Sequence, residues 1–503
     1  RRSCNRRNLK PQPDMKRILL FLLSAAAYAC TQAPAASDYA IVAGPGIADD
    51  PQWSTVVEAL RESHPGARVI RYRDSVREAL PALRCAAPRY VAFVDRPERI
   101  GRDYIIELNR MSREADRDIY ADYLWGVITG YDAEAALRMV RNAREPLVIR
   151  SAVSTLREVG SGKWFDAFAY VDDRDAGRCG VKRPGEDSVA HYRTRRLLPD
   201  GRPDLLREFC DFYARLDPDL VTTASHATER NLEMPFSVGN LRCADGALYA
   251  DFPEGRTPLA GSDKRRVFLP IGNCLIGNVD NTRGSMAVAW MNSANAAAMA
   301  GYVVPTWYGR NGWGGLKYWL TTPGRYTLAE AFYLNQQDML HQLEEWCPGL
   351  GERAFPFGEE GFAEEDFGRA DSVAGRTLSA DGTGFFFDRD VLAFYGDPAW
   401  DVRLRELPAE RDFTVSERHE KGQCILTVTT SAAFDAERMA GGRFKEEHVG
   451  RLPFSYFFPE RLPNPRLAAG QAWNAAVDEN FLLIYDPGFE PGKTYTIRLD
   501  TGE

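Results

Sequence analysis

The chain has 503 residues, 44% apolar and 27% charged, with a formal net charge of −8. That length and balance allow a large buried core and two to four domains, and they exclude a chain disordered over most of its length. Residues 1–30 carry seven Lys/Arg and one Asp, so the rest stands at −14. An acidic body of that size argues against nonspecific nucleic-acid binding.

The first element is a leader. Met15 is followed by Lys16-Arg17, the apolar run "ILLFLLSAAAYA" and Cys30. A basic segment, a short apolar segment and small residues form the pattern of a secretory signal peptide. The run is short for a membrane span. "AYAC" is similar to a bacterial lipobox, which would put a lipid tether on Cys30 and the mature protein outside the bacterial cytoplasm. The expected location is therefore secreted, periplasmic or cell-surface.

From Asp38 strands and helices alternate. "YAIVAGPG" reads as a buried strand and turn, "PQWSTVVEALRESHPG" as an amphipathic helix, "ARVIRY" as a strand, "SVREALPALRCA" as a helix and "YVAFV" as a strand. This alternation predicts a mostly parallel sheet with helices on both faces. "GPG" lacks the spacing of a phosphate-binding loop and reads as a turn. "PLVIRSAV" and "DLVTTASHA" are further buried strands, the second running into His226. "VFLPI" is another, and it ends at Gly272-Asn273-Cys274. "SMAVAWMNSANAAAMAG" reads as a helix of small residues, "YVVPTWYG" as a strand ending at Trp307, and Tyr326 to Trp346 as a helix. From about Asp401, short alternating strands separated by Pro and Gly predict a C-terminal all-β sandwich. The expected organisation is 1–30 leader, 38–400 α/β domain, 401–503 β-sandwich.

Without Cys4 and Cys30, seven cysteines remain. None form a CxxC pair or a zinc-like cluster, and an odd number leaves at least one thiol unpaired in a secreted protein. Cys274 stands out, because a strand ends on it between two glycines. His226 also ends a strand. Ends of neighbouring parallel strands lie side by side, so residues 48 apart in sequence can meet there. An imidazole beside a thiol removes its proton and makes a nucleophile. The tight turn at Cys274 would leave N–H groups facing outward to hold an oxyanion. No GxSxG elbow is present, which argues against a serine hydrolase.

Residues 267–309, "VFLPIGNCLIGNVDNTRGSMAVAWMNSANAAAMAGYVVPTWYG", resemble the nucleophile region of the gingipain family of cysteine peptidases, in the caspase-like clan. "DIYADYLWGVITGYDAEAALRMV" resembles the family's Tyr-x-Asp segment, and "FYGDPAWDVRL" its Gly-Asp-Pro segment. The likeness spans about Asp38 to Leu404. It departs where the family's His-Gly is His226-Ala227, where the Arg after the Tyr-x-Asp strand is Val127 or Ile128, and in the long loop Thr228–Lys264.

The resemblance implies a caspase-like fold and a cysteine endopeptidase acting on proteins or peptides. Cys274 would be the nucleophile and His226 the general base and acid, with the backbone N–H groups of Cys274 and Ala227 as oxyanion donors. It places Asp122 near the substrate side of the sheet, to orient His226 or to line a pocket for a basic P1 side chain. Trp307 would form a wall of that pocket. Glu229, three residues after His226, is a weaker candidate to influence it. No cofactor or catalytic metal is expected. Asp172, Asp173 and Asp175 are the sole calcium candidates, but fit no EF-hand spacing and read as a surface turn. The rival reading is an inactive peptidase fold serving as a binding scaffold, in which Cys274 would be indifferent to His226.

Overall fold

A computed structural model of the chain describes residues 38–260, 262–358, 364–408, 410–442 and 449–502. The expected leader, Cys30 included, lies outside the described residues. Among them no helix is long and apolar enough to cross a membrane.

A twelve-stranded sheet forms the centre. Its order is Arg68–Arg71, Tyr39–Ala43, Tyr90–Val94, Leu124–Ile128, Leu392–Tyr395, Ala296–Tyr302, Arg266–Asn273, Leu220–Ser225, Ser151–Ser154, Ala167–Val171, Arg178–Lys182, Ala190–Arg193. Neighbours pair in parallel except at three places. The last two strands are antiparallel additions at one edge. The third exception is internal: Ala296–Tyr302 runs against Leu392–Tyr395.

Leu392–Tyr395 meets Leu124–Ile128 through a single residue pair, Tyr395 with Val127. Carboxyl ends on both sides of it share one sheet edge: Asn281, after Cys274, donates to the carbonyl of Ile100, after Tyr90–Val94.

Right-handed crossovers put helices on both faces. Helix Ser54–Ser63 packs with Ala133–Asn142 on one face. The crossovers of Leu80–Ala86 and Arg102–Met111 take those helices to the other. The expected α/β class, with a mostly parallel sheet between helices, is what the chain adopts.

One expectation fails here. The helix read through "SMAVAWMNSANAAAMAG" stops after Met286–Ser293. Asn295 turns the chain with φ 52°, and Ala296–Tyr302 is a fully buried central strand. Residues 303–307, read as a strand, are loop. Alanine favours helix intrinsically, but here small side chains serve a strand covered on both faces.

The loop Thr228–Lys264 holds most of a five-stranded antiparallel sheet that opens on Ala227–Thr228 directly after His226. The C-terminal region packs a four-stranded antiparallel sheet on a three-stranded one. Their inner faces share a core of Phe413, Leu426, Val428, Phe454, Leu482, Ile484 and Ile497. Its strands begin at Phe413, whereas Val402–Arg403 pair with Leu147–Val148 beside the main sheet. The C-terminal region docks on the α/β layer through apolar and polar contacts: Phe457, Phe481 and Leu483 join the main core, Tyr326 donates to the Ser455 carbonyl at 2.7 Å, and Lys317 donates to the carbonyls of Gly442 and Gly450.

Candidate active site

The strands Leu220–Ser225 and Arg266–Asn273 pair in parallel, and Ser225 is opposite Asn273. His226 and Cys274, the next residue on each, leave the sheet side by side. Neighbouring strands are about 4.8 Å apart, so the two side chains start from adjacent positions at one edge.

Pro270 interrupts the second strand, and the register shifts between Thr222 and Ala224. Proline has no N–H for the ladder, which favours such an irregularity. Past the shift the strands come close. A Cβ on Gly272 would lie 2.4 Å from the Ala224 Cβ. Glycine at 272 is thus a condition for the His226 strand to lie where it does.

Asn273, fully buried, locks the two strand ends together. Its Nδ2 donates to the Ser225 carbonyl at 2.9 Å and to Ser225 Oγ at 3.1 Å. Its Oδ1 accepts from Thr223 Oγ1. Thr306 completes the frame: its hydroxyl donates to the Asn273 carbonyl at 3.1 Å, and its backbone N–H donates to Cys274 Sγ at 3.2 Å. A donor aimed at the sulfur stabilises negative charge there. Sequence reasoning missed both residues. Asn273 sits in the tripeptide that drew attention to Cys274, but nothing local shows where its amide points.

After Cys274 the backbone turns sharply. Leu275 has φ 60°, an unfavourable value for a bulky residue. Its N–H is held by the Val304 carbonyl at 3.2 Å. Gly277 passes so close to the strand below that a Cβ would meet the Gly301 carbonyl oxygen at 2.0 Å. On the His226 side, Glu233 N–H donates to the His226 carbonyl, and Ala227 faces Leu232. Antiparallel pairs alternate, so Ala227 occupies a non-hydrogen-bonded position and its N–H turns away from that hairpin.

His226 and Cys274 open on a cleft of about 490 Å³. Cys274 is half-buried and His226 is exposed. Trp307, 40% exposed, lines the cleft and is backed by Phe367 and Phe387 at ring separations of 4.7 and 5.8 Å. Phe236, on the loop after the His226 hairpin, lines the other side with φ 63°. Cys274 is a free thiol.

Asp122 is not in this cleft. It precedes Leu124–Ile128 and so lies at the amino ends of the strands, whereas Cys274 follows its strand, three strands away. It is 3% exposed, accepts from the Ala115 N–H, and is covered by Asn480, which donates to its carbonyl. Burial first, then the neighbouring Asp116, pushes its carboxyl up to about 8. A carboxyl uncharged at neutral pH and enclosed by the C-terminal region neither orients His226 nor meets a basic side chain. The resemblance placed Asp122 at the substrate side of the sheet; the structure places it at the amino end of its strand.

The carboxylate that does line the cleft is Asp173. It accepts from the Arg157 N–H at 3.1 Å. The three acids considered for calcium turn to different partners: Asp172 accepts from the Arg174 N–H, and Asp175 pairs with Arg193 at 2.7 Å. Glu229 accepts from Asn278 Nδ2 at 3.1 Å, and its carbonyl accepts from Met286 N–H. It ties the His226 hairpin to the segment after Cys274. Among the described residues no side chain hydrogen-bonds the His226 ring. Elsewhere, Glu417, His419 and Cys424 in the C-terminal region bring together oxygen, nitrogen and sulfur donors suited to a metal.

Fold and site together define an α/β protein with a thiol and an imidazole at adjacent strand ends over an open cleft. No family profile and no curated protein matches the chain. Among solved structures it is similar to the Arg-specific cysteine proteinase gingipain R, at 10% identity and TM-score 0.38, over 92% of this chain and 91% of that one. A complex of the RgpB pro- and mature domains from Porphyromonas gingivalis is similar at 9% identity and TM-score 0.38, over 92% and 93%. A structure described as a protease is similar at 9% identity and TM-score 0.36, over 78% and 85%. Likeness at this level adds nothing to the site assignment, which rests on the geometry above.

Proposed function

We propose that the protein is a cysteine endopeptidase, with Cys274 as nucleophile and His226 as general base and acid. The observation that carries this is the register of Ser225 against Asn273, which delivers both groups together to an open cleft. His226 takes the thiol proton, and the thiolate attacks the scissile carbonyl carbon. The oxyanion is held by the backbone N–H groups of Cys274 and Ala227. As the C–N bond breaks, the imidazolium gives its proton to the leaving amine, and a thioester to Cys274 remains. Water, deprotonated by His226, then hydrolyses the thioester and restores the thiol.

Asp173 takes the specificity role first expected of Asp122. A carboxylate in a cleft walled by Trp307 suits a basic P1 side chain, arginine above all, whose planar fork can bind it through two hydrogen bonds. Export from the cytoplasm, with a tether at Cys30, belongs to the same reading and rests on residues 15–30 of the sequence alone.

Turnover of a peptide library by the purified protein and by Cys274→Ala tests the proposal. Loss of a covalent nucleophile should lower the rate by several powers of ten while the fold is kept. Equal turnover by the two proteins would remove Cys274 from the mechanism.

A further inference from the structure

The inner face of a β-sandwich is ordinarily apolar. Along Phe413–Glu420 that face begins with Phe413 and Val415, both packed in the sandwich core. The same alternation then turns Glu417 and His419 to that side. His419 pairs directly with Cys424 on the next strand, and Glu417 with Leu426. Cys424 and Leu426 are fully buried core residues. Two ionisable side chains thus end a hydrophobic stripe and meet a thiol.

Their donor atoms converge. A Glu417 carboxylate oxygen, a His419 ring nitrogen and Cys424 Sγ all lie within 4.8 Å of one another. Zinc bonds of about 2.0–2.3 Å set tetrahedral ligands roughly 3.3–3.8 Å apart. Small side-chain rotations therefore suffice to close the group on one ion. Glu417 is already oriented: one oxygen meets His419 Nε2 at 2.6 Å, and the other accepts from Tyr456 Oη at 3.0 Å. An outer partner of this kind holds a metal ligand in place. The donor set is also selective. Thiolate and imidazole suit zinc and disfavour calcium or magnesium, which take oxygen.

We propose that Glu417, His419 and Cys424 bind one Zn²⁺ per chain, with water as the fourth ligand. On binding, Cys424 loses its proton to solvent and coordinates as thiolate. The ion takes the place of the hydrogen bond between His419 and Glu417. The His419 side chain is 54% exposed, so the site has an open side for entry and for the water. The bound ion pins Phe413–Glu420 to Gln423–Thr430 near their connecting turn. The inference is independent of the peptidase reading.

The test uses the full chain carrying Cys274→Ala, because a Cys274–His226 pair would itself take zinc. Titration with Co²⁺ should load one ion per chain and produce a sulfur-to-cobalt charge-transfer band that Zn²⁺ abolishes. Adding Cys424→Ser should remove the band. Adding His419→Ala, at an exposed position that tolerates substitution, should weaken zinc at least tenfold in competition with a chromophoric chelator. Zn²⁺ should also raise the melting temperature of the Cys274→Ala protein, and not that of the protein also carrying His419→Ala. Absence of the thiolate band in the Cys274→Ala protein would overturn the proposal. So would unchanged zinc affinity after His419→Ala, which decides the matter even if Cys424→Ser fails to fold.

Discussion

Asn273→Ala should uncouple the two halves of the site without touching the cleft. The amide makes three side-chain hydrogen bonds, two donated to Ser225 and one accepted from Thr223. At about 1 kcal/mol each, and more where Thr223 is left buried without a partner, the variant should lose roughly 3–5 kcal/mol of stability. It should still fold in the cold. Freed from Asn273, the Ser225 carbonyl and the His226 that follows it can drift from Cys274. A displacement of ~1 Å at a catalytic group costs about a hundredfold in rate. The loss should fall on kcat, with KM nearly unchanged, because Asn273 is buried beneath the cleft. Asn273→Asp separates shape from bonding. It keeps an acceptor for Thr223 but loses both donors to Ser225, so its kcat should fall as far. Steady-state kinetics on a fluorogenic peptide, with melting curves to confirm folding, make the measurement. Wild-type kcat in either folded variant would refute the positioning role.

Asp173→Asn should reduce kcat/KM on the order of a hundredfold for substrates with Arg or Lys at P1, and little for neutral ones; a P1-varied library shows this, and a wild-type preference for acidic residues would contradict it. Gly272→Ala should abolish activity by forcing the strands apart at Ala224, read as lost turnover together with a lower melting temperature. Burial raises the Asp388 carboxyl from its ordinary 3.8 to about 7. In that window the folded state holds a proton that the unfolded state has released, so this group's stabilisation is full below about pH 4 and lost as pH rises through 7. Asp388→Asn should therefore flatten the fall in stability between pH 4 and 8, and melting curves across that range check it. N-terminal mass spectrometry of protein from a bacterial host should find the mature chain starting at or near Cys30; an intact Met15 on exported protein would contradict the leader reading.

The legible parts of the fold were those with strong local pattern. Strands such as Tyr39–Ala43 and Tyr90–Val94 are apolar runs between clear helix and turn signals. Cys274 and His226 were legible because each ends such a run. The failures share a cause, that the deciding contacts are distant in sequence. Ala296–Tyr302 carries helix-favouring residues, and only its place between two strands makes it extended. The reversal at Leu392–Tyr395 leaves no local mark. Asp122 went wrong because it precedes its strand, whereas Cys274 follows one three strands away. Asp173 was visible only as one of three neighbouring acids, and its role appears once Ala167–Val171 takes its place two strands beyond Leu220–Ser225.

The central claim is that Cys274 reacts because His226 stands beside it. Labelling by a peptidyl chloromethyl ketone with arginine at P1, followed by peptide mapping, tests it directly in wild type, His226→Ala and Cys274→Ala. The geometry predicts a single adduct on Cys274 in the wild type, at least a hundredfold slower labelling in His226→Ala, and none at that site in Cys274→Ala. Labelling of Cys274 at the same rate with and without His226, or an adduct on another cysteine alone, would contradict it.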